Sequence, residues 1–142
     1  MELTKEFVRD LFGNLETGNR EAFFAAMSDD VEVTIMGTHT LAATYSGKQN
    51  FLTKAHGRIN RIRKPDVPLK ITVKNVLIAG DHAIVEMYSI SRAQNDKPIE
   101  NTYCWICRFS GGKIVEVRAY TDTAAMEKAV LENEAALGIK HP

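Results

Sequence analysis

Hydrophobic residues in the first part of the chain recur at the three- and four-residue spacing of amphipathic helices. The first such set follows Thr4 and consists of Phe7, Val8, Leu11, Phe12 and Leu15. Thr4 can cap this predicted helix, and Gly18 can end it. Asn19 can cap a short second helix, which carries Phe23, Phe24 and Met27.

The next segment predicts a strand, a loop and a third helix. Val31–Met36 alternates and is rich in β-branched residues, which is typical of a strand, and the loop follows over Gly37–Tyr45. Ser46 and Gln49 match a capping box, in which the hydroxyl and the amide each satisfy a free backbone N–H group. The third helix must end before Pro65. It carries Phe51, Leu52, Ala55, Ile59 and Ile62.

The hydrophobic period then changes to that of strands. Four strand-like segments cover residues 69–79, 82–92, 99–109 and 113–121. Short links rich in Gly, Asn and Asp separate them, which predicts an antiparallel meander. A last helix begins near Asp122 or Thr123 and runs to Gly138. Helices followed by an antiparallel sheet predict an α+β fold with the helices packed on one face of the sheet.

Composition and charge narrow the class of protein. Eighteen Lys and Arg residues balance eighteen Asp and Glu residues, whereas proteins that bind nucleic acid or membrane surfaces are usually basic. The chain has 142 residues and 44% hydrophobic residues, enough for one core. We therefore expect a single domain over residues 1–142, with no nucleic-acid or membrane partner. The N-terminal segment lacks signal-peptide features and no apolar run could span a membrane, so we expect a cytoplasmic protein.

Cys104 and Cys107 have the CxxC spacing of redox and zinc sites. They lie, however, in a segment of aromatic and β-branched residues that predicts a strand. Residues three apart on a strand point to opposite faces, so the two thiols can neither form a disulfide nor share a metal. We expect two ordinary buried thiols in a reducing compartment.

The sequence has one local charge bias, at the end of the third predicted helix. It is formed by Arg58, Arg61, Arg63 and Lys64. Cations at a helix C-terminus complement the helix dipole, which predicts a solvated helix end; phosphate binding is the alternative. No glycine-rich phosphate loop, metal-ligand spacing or nucleophile–base motif is present, so no cofactor or metal is predicted.

Three segments resemble the SnoaL-like and ketosteroid-isomerase-related proteins of the nuclear transport factor 2-like superfamily. They are residues 17–33, 37–51 and 101–123, of which the last resembles the family's terminal hairpin. The resemblance implies a cone-shaped fold, in which a curved antiparallel sheet wraps around a helix-capped pocket. It also implies a homodimer through the outer face of the sheet. The fold hosts enzymes, transport factors and dimerisation modules, so it does not imply one reaction.

The catalytic patterns of two groups with this fold are broken here. Ketosteroid isomerases use an aspartate base with a tyrosine and a protonated aspartate as donors; the resemblance places these on Ile35, Leu11 and Trp105. Limonene epoxide hydrolases use two aspartates and an arginine; the corresponding positions are Ala119, Glu86 and Tyr88. Only Glu86 keeps an acid, so neither activity is implied.

Turn lengths predict which side chains face the pocket. A three-residue turn at 110–112 pairs Trp105 with Val117, and a two-residue turn at 95–96 pairs Glu86 with Trp105. Directly opposed residues share a face of the sheet. The predicted concave face consists of Glu86, Tyr88, Asn101, Tyr103, Trp105, Val117 and Ala119.

Glu86 and His39 are the predicted catalytic residues. A carboxylate that faces an aromatic-lined pocket has a raised pKa, which suits acid/base chemistry; the alternative is an outward Glu86 at a dimer interface. His39 follows the first strand, where an imidazole at a pocket rim can move a proton near neutral pH; the alternative is a solvated loop histidine. The predicted ligand contacts are Tyr88, Asn101, Tyr103 and Trp105, for which core filling is the alternative.

Two functions of different classes follow. The first is a cofactor-independent enzyme, an isomerase, cyclase, lyase or hydrolase acting by acid/base chemistry on a small apolar cyclic or carbonyl metabolite. The second is a non-catalytic ligand-binding or dimerisation module. The remaining chemistry-bearing residues are predicted to be structural or solvated: Asp122 as a helix cap, His56 and His82 at the surface, and His141 in the tail.

Overall fold

The computed structural model describes residues 2–139, so His141 lies outside the described residues. The helices are α1 (Lys5–Glu16), α2 (Arg20–Ala25), α3 (Lys48–Phe51), α4 (Gly57–Ile62) and α5 (Thr123–Ala136), with a π-helical segment (Leu52–His56) between α3 and α4. The strands are β1 (Met27–Ile35), β2 (Ala43–Ser46), β3 (Lys70–Ala79), β4 (His82–Arg92), β5 (Pro98–Ser110) and β6 (Lys113–Thr121). None of the helices between residues 2 and 139 is long and apolar enough to cross a membrane.

Three of the predicted helix caps are confirmed. The side chains of Thr4 and Asn19 accept hydrogen bonds from the third residue after each of them, at 3.1 and 3.3 Å. Asp122 does the same for the Ala125 N–H group at 3.2 Å. These oxygens satisfy N–H groups that have no partner within their helices.

The predicted capping box at Ser46 is wrong. Ser46 is the last residue of β2, a strand that begins inside the predicted loop. Gly47 occupies the N-cap position of α3, where no side-chain hydrogen bond forms. Gly47 has a φ of +92°, in the region that glycine tolerates best. Because β2 pairs with β1, the backbone of Ser46 serves the sheet instead of the helix.

The sheet has six strands in the order β2-β1-β6-β5-β4-β3. Strands β3 to β6 form the predicted antiparallel meander, and the α+β fold is confirmed. β1 adds to β6 in the parallel direction, with Val33 opposite Val117. This arrangement puts β1 and the residues that follow it beside the middle of the sheet.

Helices cover the concave face of the sheet and bury its apolar side chains. The centre of the main core contains Phe12, Phe23, Val33, Val85 and Val117, none of which is exposed. A second cluster, formed by Leu41, Ile62, Met126 and Val130, joins α4 and α5 near the segment after β1. Together the two clusters surround the interior of the cone.

The β5–β6 hairpin keeps the predicted orientation of its side chains, although its turn differs. Gly111 and Gly112 form a two-residue turn with positive φ at both positions, and a bulge follows between Phe109 and Arg108. The shorter turn and the bulge each shift the register by one residue from the prediction, so Trp105 lies opposite Ala119. A shift of two residues leaves every side chain on its predicted face.

The β4–β5 hairpin does not keep the predicted orientation. Ala93 N–H donates to the Lys97 carbonyl at 2.9 Å, which leaves a three-residue turn instead of the predicted two-residue turn. Asp96, with a φ of +68°, closes it. The register therefore shifts by one residue, and Glu86 lies opposite Cys104 rather than Trp105. A one-residue shift moves the side chains of β4 to the other face.

Candidate functional site

Two small cavities lie inside the cone, between the helices and the concave face. The first has a volume of about 70 Å³, and its polar lining residues are His39, His56, Tyr103 and Thr121. The second, of about 90 Å³, is lined mainly by side chains of α1, α2, β3 and β4. Phe51, Tyr103 and Trp105 line both cavities and therefore separate them. Each cavity is smaller than the roughly 150 Å³ that holds a benzene ring, so a larger ligand requires these rings to move.

His39 lies in the wall of the first cavity, as a buried residue of the segment between β1 and β2. Its Nε2 atom lies 3.2 Å from the Met36 carbonyl, which can only accept, so a neutral ring carries its proton on Nε2. The Nδ1 atom is buried and has no hydrogen-bond partner among residues 2–139. His39 therefore holds an unused lone pair beside the cavity.

Gly37 makes room for the ring of His39. A Cβ atom on Gly37 would lie 3.2 Å from Cδ2 of His39 and 3.0 Å from a methyl group of Thr123. The φ of Gly37 is +113°, a conformation that other residues rarely adopt. The turn after β1 thus brings the imidazole against the start of α5.

His56 also lines the first cavity, and its predicted surface position is wrong. The residue ends the π-helical segment, and its ring packs edge-on against Phe24 with 5.1 Å between centroids. Its Nε2 atom lies 3.4 Å from Nη1 of Arg20, which can only donate, so a neutral ring carries its proton on Nδ1. Burial, assisted by the positive charges of Arg20 and Arg63, lowers the pKa of His56 to about 4. His56 is therefore neutral near physiological pH.

The inward orientation of Tyr103 and Trp105 is confirmed. The hydroxyl oxygen of Tyr103 lies 2.9 Å from the Ser89 hydroxyl, and burial raises the pKa of this phenol. The ring of Trp105 contacts Phe12 and Phe23, with 6.3 Å between centroids in both pairs. Both residues belong to the cavity walls, and their contact with a ligand stays a prediction.

Asn101 is buried and faces inward, but it lines neither cavity. Its Oδ1 atom accepts hydrogen bonds from the Thr121 hydroxyl at 2.8 Å and from the Asp122 N–H group at 3.0 Å. These bonds fix the junction between β6 and α5. The geometry gives Asn101 a structural role, and its contact with a ligand stays a prediction.

Glu86 and Tyr88 lie on the convex face, so their predicted position in the pocket is wrong. Glu86 is exposed and accepts a hydrogen bond from the Asn75 amide at 3.2 Å. The hydroxyl of Tyr88 donates to Glu100 at 2.7 Å on the same face. The cause is the three-residue turn after β4, and it removes the only carboxylate that was predicted to face the cavity.

The two cysteines lie on opposite faces of β5, as the strand geometry predicts. Cys107 is fully buried in the core, whereas Cys104 is half-buried on the convex face opposite Glu86. Burial raises the pKa of both thiols. Within residues 2–139, no group of three or more His, Cys, Asp and Glu side chains is placed to hold a metal ion.

An ion-pair cluster closes the cone between α4 and α5, where a solvated helix end was predicted. Glu134 is fully buried and accepts hydrogen bonds from Nε and Nη2 of Arg58, at 2.7 and 2.6 Å, and from Arg61. Hydrogen bonds from Arg58, assisted by Arg61, lower the pKa of this carboxyl to about 2 against the effect of burial. The prediction is therefore wrong for Arg58, whereas Arg61 is exposed as predicted but also binds Glu134. Both arginines fix α5 over the cavity.

Solved structures identify the class of fold. A nuclear transport factor 2-like protein from Burkholderia thailandensis is similar with a TM-score of 0.72 and 21% sequence identity, over 87% of this chain and 94% of the other. TerC, co-crystallized with polyporic acid, is similar with a TM-score of 0.70 and 15% identity, over 89% of this chain and 96% of TerC. The fold is that of the nuclear transport factor 2-like proteins, as the sequence predicts.

The family follows from the sequence match. The profile of the SnoaL-like domain matches residues 8–117, and the chain belongs to this family. The dimerizing cyclase tstC of Talaromyces stipitatus is 29% identical over 126 residues, which cover 85% of this chain. The chain spans about half the length of this curated relative, 55% of it.

Proposed function

We propose that this protein binds a small, largely apolar cyclic or carbonyl compound inside the cone and moves a proton on it with histidine. The observation that carries the proposal is the first cavity, whose exposed lining is apolar and whose wall contains the imidazoles of His39 and His56. Apolar pockets with a few convergent polar groups are the usual form of small-molecule sites. A relative named as a cyclase and a neighbour crystallised with polyporic acid support a small-molecule function.

The two histidines can supply the acid/base chemistry that the sequence assigned to Glu86. The free lone pair on Nδ1 of His39 can accept a proton from carbon next to a carbonyl group. The Nε2 atom of neutral His56 accepts from Arg20, so its Nδ1–H group can act as a hydrogen-bond donor to the ligand. If Ser89 donates to Tyr103, the phenolic hydrogen is left to donate to the ligand oxygen, where charge develops.

Exchange of α-protons tests this chemistry without knowledge of the natural substrate. We expect the protein to accelerate deuterium uptake by 1-tetralone in deuterium oxide by about 100-fold or more over buffer, with no cofactor added. His39→Asn should lose most of this acceleration, because it removes the proton acceptor at the cavity. The measurement is the loss of the α-proton signal in the NMR spectrum.

His82→Asn is the matched control, because His82 lies at a turn beside Asp81, outside both cavities. It should leave the exchange rate unchanged. Exchange at the buffer rate, together with a rise in melting temperature on adding 1-tetralone, would contradict catalysis. It would support the non-catalytic ligand-binding module instead, since a bound ligand stabilises the fold by mass action.

We also propose a homodimer through the convex face. One row across four strands of this face consists of Leu77, Ile84, Ile106 and Arg118. Leu77 is 46% exposed and Tyr120, on the neighbouring row, is 42% exposed. Exposed apolar patches of this kind are typical of association surfaces.

Light scattering checks the homodimer. We expect a mass of twice 15.8 kDa at micromolar concentration, and a monomer for Ile106→Lys, because a buried unpaired charge opposes association. Leu131→Lys is the control, since Leu131 is an exposed apolar residue of α5, away from the sheet. A monomeric wild-type protein, or a dimer that Ile106→Lys leaves intact, would overturn the proposed interface.

A further inference from the structure

Two arginine side chains converge beside His56. Nη1 of Arg20, from the start of α2, donates to Oδ1 of Asn60 at 3.2 Å. Nη2 of Arg63, after the end of α4, donates to the same oxygen at 2.9 Å. One neutral amide oxygen thus serves two cations, and Arg20 also contacts the ring of His56.

No carboxylate compensates these two cations within the described residues. None of the ion pairs among residues 2–139 involves Arg20 or Arg63, whereas Arg58 and Arg61 share the buried Glu134. The Nε atom of Arg63 is buried and has no hydrogen-bond partner in the same part of the chain. Arg20 and Arg63 are half-buried. Cations that are partly removed from water in proteins are normally paired, so this arrangement favours a bound anion.

The electrostatics at this position favour a negatively charged ligand. Burial lowers the pKa of Arg20, and burial and the charge of Arg20 lower that of Arg63. The charge of Arg20 also reaches Tyr103, which lines both cavities. The two guanidinium groups therefore act on the wall of the cavity from its α2 and α4 side.

We propose that Arg20 and Arg63 form a subsite for the carboxylate of an apolar organic acid, whose ring lies in the cavity lined by His56. This proposal rests on the proposed function and names the ligand class. A carboxylate matches the planar fork of a guanidinium group and forms charge-assisted hydrogen bonds with it. His39 and the apolar rings line the cavity for the uncharged part of the ligand.

Occupation of the subsite has a consequence for His56. A bound carboxylate offsets the two positive charges that oppose protonation of this imidazole. The pKa of His56 should therefore rise when an acid binds, and should not rise when the matching amide binds. Within residues 2–139, the charges that act on His56 are those of Arg20 and Arg63, and the ring of Phe24 also packs against it.

Calorimetry with 2-naphthoate and 2-naphthamide tests the subsite. We expect the wild-type protein to bind the acid with an affinity about tenfold or more higher than that for the amide. The reason is that hydrogen bonds to charged groups contribute more than hydrogen bonds between neutral groups. Arg20→Gln and Arg63→Gln should each weaken binding of the acid about tenfold and leave binding of the amide unchanged. Arg9→Gln is the matched control, because Arg9 is exposed on α1 and forms no ion pair among residues 2–139.

The outcomes separate the subsite from the pocket. Equal binding of the acid and the amide by the wild-type protein would overturn the anion subsite and leave the ligand pocket standing. Binding of neither compound at millimolar concentration would overturn both. If an arginine variant does not fold, the NMR titration of His56 in the wild-type protein decides: a pKa that 2-naphthoate fails to raise contradicts the subsite.

Discussion

Replacing Glu134 with glutamine will lower the free energy of unfolding near neutral pH by about 3 kcal/mol, the lower end of the range for breaking a buried ion pair. Glu134 is fully buried between α4 and α5, and its two oxygens accept from Arg58 and Arg61. Glutamine keeps the size but removes the charge, and one of its donor hydrogens then faces a guanidinium group. The two arginines are partly exposed, so water limits the loss. Urea denaturation of both proteins measures it.

The effect of this substitution should depend on pH with a definite sign. The pKa of Glu134 is about 2 in the folded protein and about 4.3 in an unfolded chain. Its carboxylate therefore contributes fully above about pH 5, and this contribution is lost as the pH falls toward 2. The wild-type and Glu134→Gln curves should run parallel between about pH 6 and 8 and converge in acid. Both proteins keep His56, so its own titration cancels in the difference.

Glu132→Gln is the control on the same helix. Glu132 is exposed and lies 3.9 Å from the ammonium group of Lys97, so its loss should cost less than about 0.5 kcal/mol. A Glu134→Gln variant as stable as this control would show that the cluster does not hold α5 in place. A difference that fails to shrink in acid would contradict the lowered pKa of Glu134.

The sequence did not predict correctly which face of the sheet the side chains of β4 occupy. Asn95 and Asp96 are typical of a two-residue turn, yet Asn95 N–H donates to the side chain of Asn133 in α5 at 3.0 Å. Its own side chain accepts from Lys97 N–H at 3.0 Å. These contacts accompany a three-residue turn, and the first comes from a helix nearly forty residues away. Local turn chemistry carries no information about such a partner, and one residue decides which face Glu86 occupies.

β5 was predictable for a different reason. Its register with β6 differs from the prediction by two residues, and a shift of two residues leaves each side chain on the same face of the sheet. The predicted face of Tyr103 and Trp105 is therefore correct. The family resemblance predicted the cone-shaped fold, and the strong helical periodicity of the first segment predicted α1. A register error of two residues keeps every side chain on its face, whereas an error of one residue does not.

The position of His56 in the cavity wall was not predicted, because the hydrophobic pattern around it indicates a regular α-helix. The N–H group of Gly57 donates to the carbonyl of Leu52, five residues earlier, which defines the π-helical turn. A Cβ atom at Gly57 would lie 3.0 Å from that carbonyl oxygen, so glycine at this position relieves a close contact. The glycine within a helical pattern is the feature of the sequence that could have indicated the π-helical turn. Such turns are frequent at functional sites. Arg63 lies in the basic stretch at the end of the same predicted helix, but Arg20 comes from α2, and the sequence around His56 carries no information about that contact.

Replacing Trp105 with alanine will join the two cavities and cost about 3 kcal/mol of stability, within the range for deleting a large aromatic side chain from a core. Trp105 lines both cavities and packs on Phe12 and Phe23. The enlarged cavity will be apolar on most of its wall, and such cavities stay dry and bind small aromatic molecules. Indole, which has the shape of the deleted side chain, should therefore raise the melting temperature of Trp105→Ala by more than that of the wild-type protein.

Phe109→Ala serves as the control for indole binding. Phe109 is a core aromatic residue that contacts Phe7 and lines neither cavity of the cone. Its replacement should also destabilise the protein by about 3 kcal/mol or more, but indole should not restore stability, because the new space does not join the ligand cavity. Indole that stabilises both variants equally would show binding elsewhere. If indole stabilises neither variant, the walls collapse when Trp105 is removed, and that tryptophan does not hold the two cavities apart.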